Sequence, residues 1–258
     1  MIGIIYFFVI IVANTLGSVS GMGGGILIKP IFDLINVHSV SAISFYSSVA
    51  VFVMSIVSVT RQMKDSKKFN WIIAGWVSLG SISGGILGSI TLEFFLKAFE
   101  NESVVQWIQI ILTIITLVFA FLYTRFEWES FCLSSTLAFY ICGLVLGFLA
   151  SLLGIGGGPI NVSLLMLIFG FSIKNAAVYS LCTIFFSQFA KLLTIGFTTG
   201  FAQYDLNLLW FIIIAAVLGG LLGSKVSSLL SPKKVVIVFQ VLIIIVLLIN
   251  VYNGLQLF

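Results

Sequence analysis

Apolar residues run along this chain in blocks longer than any strand, and most of them carry few charges. The long blocks cover residues 2–16, 40–60, 71–90, 104–123, 131–153, 175–198, 206–224 and 235–252. Runs of this length and hydrophobicity predict helices buried in lipid rather than amphipathic helices on a soluble core. Two shorter apolar blocks, 26–35 and 159–170, each follow a glycine cluster. From Gly23 to Asn36 the chain spans about 21 Å as helix, against a hydrocarbon core of about 30 Å. By length alone, a short block either re-enters the side it came from or crosses with the help of extended glycine backbone.

The blocks repeat. Gly21-Met22-Gly23-Gly24-Gly25 returns as Gly154-Ile155-Gly156-Gly157-Gly158, 133 residues later, and at the same offset Tyr46-Ser47 returns as Tyr179-Ser180. Gly84-Gly85-Ile86-Leu87-Gly88-Ser89 matches Gly219-Gly220-Leu221-Leu222-Gly223-Ser224 at 135, and Gln109 matches Gln240 at 131. The order of landmarks divides the chain near residues 125–130 into a first unit, 1–128, and a second, 129–258. The expected fold is an all-α polytopic membrane protein. It consists of two homologous repeats of four to five segments each, eight to ten in all, with a glycine-rich break and a short helix in each half.

Charge chooses between the counts. Arg61, Lys64, Lys67 and Lys68 mark a cytoplasmic loop. If the short blocks cross, Arg125, Lys174, Lys225, Lys233 and Lys234 join them, and only Lys97 lies outside, beside Glu93, Glu100 and Glu102. If they re-enter, the bias disappears. Five segments per unit are therefore expected, which inverts one unit relative to the other and places both termini outside. The apolar run at the N-terminus has no basic residue before it and reads as the first transmembrane helix, not a cleaved signal.

Composition narrows the function. Of 258 residues, 60% are hydrophobic and 8% charged, with a mean hydropathy of +1.25; soluble domains carry about a quarter charged residues. A soluble enzyme or nucleic-acid binder is excluded, and the net charge of +4 belongs to loop lysines and arginines. Cys132, Cys142 and Cys182 lack metal-ligand spacing, and His38 is the sole histidine. No nucleophile–base pair or Walker motif is present, so no enzyme activity and no cofactor are expected.

The glycine clusters carry the candidate chemistry. A helix broken inside lipid exposes backbone groups that need protein or a wet cavity around them. Gly23, Gly24 and Gly25, with Gly156, Gly157 and Gly158, present N–H groups at the start of a new helix, which favours an anion. Pro159 fits a first helical position. Ser47, Ser180 and Asn161 are candidate donors to a bound oxyanion, as are Asn14, Ser48 and Gln188. Lys191 adds charge inside an apolar helix. Lys29 and Asp33, four apart, are expected to pair. Gly84, Gly85 and Gly88 fit close helix packing instead. Asp33 is the one carboxylate clearly within an expected membrane segment, so an anionic cargo is favoured over a cation.

Together the paired glycine motifs, the two-unit plan and the length resemble the sulfite exporter TauE/SafE family over essentially the whole chain. Gly21-Met22-Gly23-Gly24-Gly25 with Pro30, and Gly154-Ile155-Gly156-Gly157-Gly158-Pro159, look like its two signatures. Where the family often has Ala-x-x-Thr-Ser, tyrosine precedes serine at Tyr46-Ser47 and Tyr179-Ser180. An acidic residue commonly opens the fourth helix of a unit; Asp205 fits, while Asn70 stands in the first. The resemblance implies a plasma-membrane permease for sulfite, sulfoacetate or other organosulfonates. The expectation is a multi-pass secondary transporter in which one half rocks against the other in alternating access. Its partners are a small anionic substrate and the bilayer, with no nucleic acid; a coupling proton and a homo-oligomer stay open. An anion channel and a non-transporting membrane scaffold are the rival readings.

Overall fold

The computed structural model describes residues 2–65, 69–99, 101–126 and 128–256. Lys67, Lys68 and Glu100 lie outside the described residues, as does the side chain of Lys64. The described residues form ten helices: α1 Ile2–Ser20, α2 Gly25–Ile35, α3 Val40–Asp65, α4 Trp71–Ala98, α5 Glu102–Phe126, α6 Thr136–Leu152, α7 Pro159–Phe169, α8 Ile173–Thr198, α9 Leu208–Leu229 and α10 Pro232–Gln256. Seven of these are long and apolar enough to cross a membrane. The chain is an all-α multi-pass membrane protein. Outward side chains such as Phe8, Leu222 and Leu248 give it an apolar jacket, and the exposed indoles of Trp71 and Trp210 fit the interfacial positions that tryptophan favours.

One expected helix is shorter than its apolar run. Residues 131–135 are not helical, with Cys132 at a φ of 49°, and α6 begins at Thr136. The N–H groups of Phe131 and Leu133 donate to the carbonyls of Leu167 and Ile168, at 2.8 and 2.9 Å. This arm thereby satisfies carbonyls at the end of α7 that have no helical partner.

Each short helix is the return arm of a hairpin. The Tyr6 ring, near the start of α1, stacks on Phe32 near the end of α2 at 3.7 Å, and its hydroxyl meets His38 Nδ1 at 2.9 Å. Phe139 at the start of α6 likewise meets Phe169 at the end of α7, at 4.5 Å. With 11 residues each, α2 and α7 are about 16 Å long. They carry the chain from a turn at depth back to the end where the preceding helix began.

The helix pairings come in matched sets. The pairs α4–α6 and α1–α9 correspond under a shift of five helices, as do α4–α8 and α9–α3, and α5–α7 and α10–α2. The equivalent helices α3 and α8 meet each other and run antiparallel, since Ser44 near the start of α3 touches Lys191 late in α8. One end of the bundle gathers Glu93, Glu102 and Asp205; Glu93 accepts from Thr198, Glu102 from the Val40 N–H, and Tyr46 reaches Asp205. The other end gathers Arg61, Arg125, Lys174, Lys225, Lys233 and Lys234 at helix termini.

Lipid offers helices no hydrophobic drive to associate, so close van der Waals contact has to supply it. Gly80, Gly84 and Gly88 of α4 lie directly on the carbonyls of Tyr140, Leu144 and Phe148 in α6, while Gly143 and Gly147 return the contact onto Val77 and Ser81. Gly219 and Gly223 of α9 sit the same way on α1, against Asn14 and Thr15.

A Gly84→Ala change forces the α4–α6 interface apart, with an expected cost of about 1–3 kcal/mol. A methyl group added at Gly75 on the same helix would meet nothing within 4 Å, so Gly75→Ala is expected to be neutral or stabilising by up to about 1 kcal/mol. Thermal melting in detergent compares the two; equal melting temperatures would show that the interface does not depend on glycine.

Candidate functional site

The two glycine turns share one backbone design. Gly21 and Gly23 have φ of 75° and 78°, and their counterparts Gly154 and Gly156 have 67° and 66°. Residues with a Cβ avoid this region, which accounts for glycine at these positions. The Gly23 N–H donates to the Gly17 carbonyl at 3.2 Å, and the Gly156 N–H to the Ala150 carbonyl, also at 3.2 Å. These bonds repeat at the offset of 133 that relates the sequence motifs.

The turns also pack on each other. A methyl group on Gly25 would overlap the Ile155 carbonyl and lie 3.0 Å from Ser47 Oγ; one on Gly157 would lie 3.1 Å from the Met22 carbonyl. Val51 of α3 and Ile184 of α8 close the sides. All six candidate glycines are buried. Gly23 and Gly156 spend their N–H groups inside the turns, and Leu27 and Ile28 donate theirs to the Gly24 carbonyl at 3.0 Å, so the donors left at the opening of α2 are those of Gly25 and Ile26. In α7, Pro159 has no N–H and the Asn161 N–H donates to the Gly158 carbonyl.

The candidate side chains fall into two sets. Ser180 Oγ donates to the Gly21 carbonyl at 2.6 Å and Ser48 Oγ to the Ser44 carbonyl at 2.6 Å, so both hydroxyls hold structure. Asn14 Nδ2 reaches the Ala50 carbonyl at 3.2 Å. Ser47 Oγ, both polar atoms of the Asn161 side chain, and Gln188 Oε1 are buried without a protein partner. Ser47 lies beside Gly25, and Gln188 lies beside Gly156. Lys29 and Asp33 pair at 2.7 Å.

Lys191 is the unusual member. Its side chain is 1% exposed, and Nζ donates to Ser44 Oγ at 2.7 Å and to the Ser151 carbonyl at 3.2 Å. Among the described residues no carboxylate pairs with it; Lys29–Asp33 is the ion pair they contain. Lys191 and Ser44 line a cavity of about 210 Å³ at the acidic end, whose walls include Ser89, Glu93, Glu102 and Tyr204. Buried charge is normally paired, so an ammonium held only by a hydroxyl and a carbonyl attracts an anion. At the corresponding place in the first unit, 133 residues earlier, stands Ser58. It bonds to Ser18 Oγ at 2.8 Å, and Gln62 donates to the Ser18 carbonyl. The positive charge is therefore confined to one side of an otherwise matched arrangement.

Sequence reasoning passed over two features. Ser44, the partner of Lys191, lies one turn before Ser47 and Ser48 on α3; that polar stripe was visible, but its use was not. Tyr46 and Tyr179 prove to be latches. The Asp205 N–H donates to the Tyr46 hydroxyl at 2.9 Å, and the Asn70 N–H to the Tyr179 hydroxyl at 2.8 Å. Asn70 and Asp205 in turn accept from the N–H two residues on, at 2.9 and 3.0 Å. Each tyrosine thus ties its helix to the segment opening the fourth helix of the other unit.

The family model described as sulfite exporter TauE/SafE matches residues 6–249. The chain is 25% identical over 233 residues to a probable membrane transporter protein of Methanocaldococcus jannaschii, covering 86% of this chain and 85% of that one. It is 24% identical over 270 aligned positions to the probable membrane transporter protein YunE of Bacillus subtilis, covering 95% of each. No solved structure matches it.

The two equivalent serines are expected to respond differently. Ser180→Ala leaves the buried Gly21 carbonyl without its donor, and should lower stability by about 1–3 kcal/mol. Ser47→Ala removes a hydroxyl with no partner, so it should melt like the parent while losing part of the thermal stabilisation given by an added sulfonate. Melting curves with and without methanesulfonate check both; equal loss of stability in the two variants would contradict this division.

Proposed function

We propose, for a chain that belongs to the sulfite exporter TauE/SafE family and is a multi-pass membrane transporter, that its cargo is a small sulfur-containing anion such as sulfite, sulfoacetate or another organosulfonate. The observation that carries this reading is Lys191, a buried ammonium with no carboxylate partner among the described residues, which lines a cavity together with Ser44. The Ser44 hydroxyl lies with it in that cavity, and one turn along α3 the Ser47 hydroxyl, beside Gly25 and outside the cavity lining, is a further neutral donor. A tetrahedral oxyanion suits convergent donors of this kind. The basic end of the bundle faces the cytoplasm in this reading, since lysine and arginine concentrate there. The cavity then opens to the outside of the cell membrane.

Alternating access is the mechanism in this reading, with inverted units behind it. The moving bodies are not the sequence halves 1–128 and 129–258, however. Close glycine packing joins α1 to α9 and α4 to α6, across the halves. Asn253 of α10 donates to the Pro30 carbonyl of α2, Asn14 to Ala50 of α3, and Tyr46 holds Asp205, which unites α1, α2, α3, α9 and α10. Gln109 of α5 donates to the Leu152 carbonyl of α6, Tyr140 reaches Ser83, and Tyr179 holds Asn70, which unites α4, α5, α6 and α8; α7 packs against α5 and α8. Lys191 and Ser44 face each other across the seam between these bodies, as do Ser180 and Gly21. A shear along that seam opens the site to one side and then the other.

Proteoliposomes loaded with the protein test the cargo. Uptake of labelled sulfite or a short sulfonate is expected to saturate and to be competed by related sulfonates but not by acetate. Lys191→Gln should raise the half-saturating concentration roughly 10- to 100-fold, the value of a charged hydrogen bond of about 1.5–3 kcal/mol. Unitary current steps would make the protein a channel, and no flux from folded protein under any gradient would refute this cargo.

A further inference from the structure

We infer that Lys191 couples anion movement to a proton, binding the anion as an ammonium and making the empty return as a neutral amine. This rests on the anion reading above. The ammonium is buried, and its two partners are neutral. The nearest cation of the core is already compensated, because Asp33 holds Lys29 at 2.7 Å. With an anion bound, the buried set of Lys29, Asp33, Lys191 and a monoanion sums to zero. Without one, the set carries an uncompensated positive charge inside protein and lipid, which is costly to bury. A carrier has to move its site past the barrier both loaded and empty, so the empty site needs a way to discard that charge. Loss of a proton from Nζ provides it.

The partners suit both states. Ser44 Oγ accepts from the ammonium, and its hydroxyl can turn to donate to the lone pair of the amine. The Ser151 carbonyl accepts from either form. The proton joins Nζ on the side to which the cavity lined by Lys191 opens, and it leaves, after the anion, on the opposite side once the site has turned to face it. The titratable groups around it are Lys29 and Asp33 on α2, Glu93 and Lys97 on α4, Glu102 at the start of α5, and Tyr204 before α9. None of the carboxylates pairs with Lys191: Asp33 serves Lys29, Glu93 accepts from Thr198, and Glu102 accepts from the Val40 N–H. For a monoanion the balance is a sulfonate and a proton entering together, with no net charge crossing.

Methanesulfonate is the probe, because its acid group stays ionised and any proton counted belongs to the protein. Proteoliposomes enclosing a pH dye, with the membrane potential clamped by potassium and valinomycin, report both movements. In the parent protein, methanesulfonate entry is expected to acidify the lumen in proportion to uptake, at a rate that does not depend on the potential. Lys191→Arg keeps the charge but cannot release it. It should still be thermally stabilised by methanesulfonate, while net uptake falls by about tenfold or more. Uptake by the parent without acidification and accelerated by an inside-positive potential would overturn the inference, as would parental uptake rates in Lys191→Arg; either result leaves the anion reading standing. If methanesulfonate neither stabilises nor enters with the folded parent at any pH, while sulfite does, the coupling inference falls. If no sulfur oxyanion does either, the anion reading falls with it.

Discussion

Backbone polarity inside lipid is the constraint on which this structure turns. A peptide group in hydrocarbon has to find a partner, so a chain that breaks a helix at depth must bury the break in protein. Here the chain does so twice, and each break covers the other. The Gly25 backbone lies on the Ile155 carbonyl and Gly157 lies near Met22, so neither turn is sealed without its counterpart. Val51 and Ile184, from the paired helices α3 and α8, complete the cover. The remaining helices then present outward faces rich in large apolar side chains. An arrangement of this kind cannot be assembled from one unit alone, which gives a physical reason for the duplicated motif.

Hydropathy made the helices legible, because the bilayer imposes a length and a composition on anything that crosses it. It said less about backbone conformation where the apolar run was not helical. Residues 131–135 look like the start of a spanning helix, yet the N–H groups of Phe131 and Leu133 go to the end of α7. The glycine turns were legible for a different reason: positive φ at Gly21, Gly23, Gly154 and Gly156 restricts the residue type and so leaves a mark in the sequence. Hydrogen-bond partners far apart in the chain leave no such mark. The lysine at position 191 was conspicuous as a charge in an apolar run, but its serine partner lies 147 residues away. The tyrosines at 46 and 179 likewise read as bulky departures until their hydroxyls were seen to hold the N–H groups of Asp205 and Asn70.

Repetition in sequence does not guarantee repetition in environment. Ser47 and Ser180 occupy equivalent positions, yet Ser180 is bonded to a glycine carbonyl across the seam and Ser47 has no protein partner. Lys191 and Ser58 are equivalent by position and opposite in character. The second unit thus carries both the bonded serine and the charge, while the first leaves Ser47 without a protein partner and holds Ser58 in a neutral hydrogen bond. The seam between the bodies is where that difference shows, because the side chains meeting there come from opposite units.

In the proposed anion site, a single lysine also limits the attraction available. Two facing lysines would hold an anion more firmly, but they would repel each other whenever it left, in a region with little water to screen them. With one lysine, and with Lys29 compensated by Asp33, the empty site has a single charge to manage. Neutral donors then provide the rest of the attraction without adding to that burden. Hydroxyls and helix-opening N–H groups orient an oxyanion through dipoles that need no counterion once the anion departs. In the proposed reading, one charge surrounded by neutral donors favours an anion without holding it permanently, which is the balance a carrier requires.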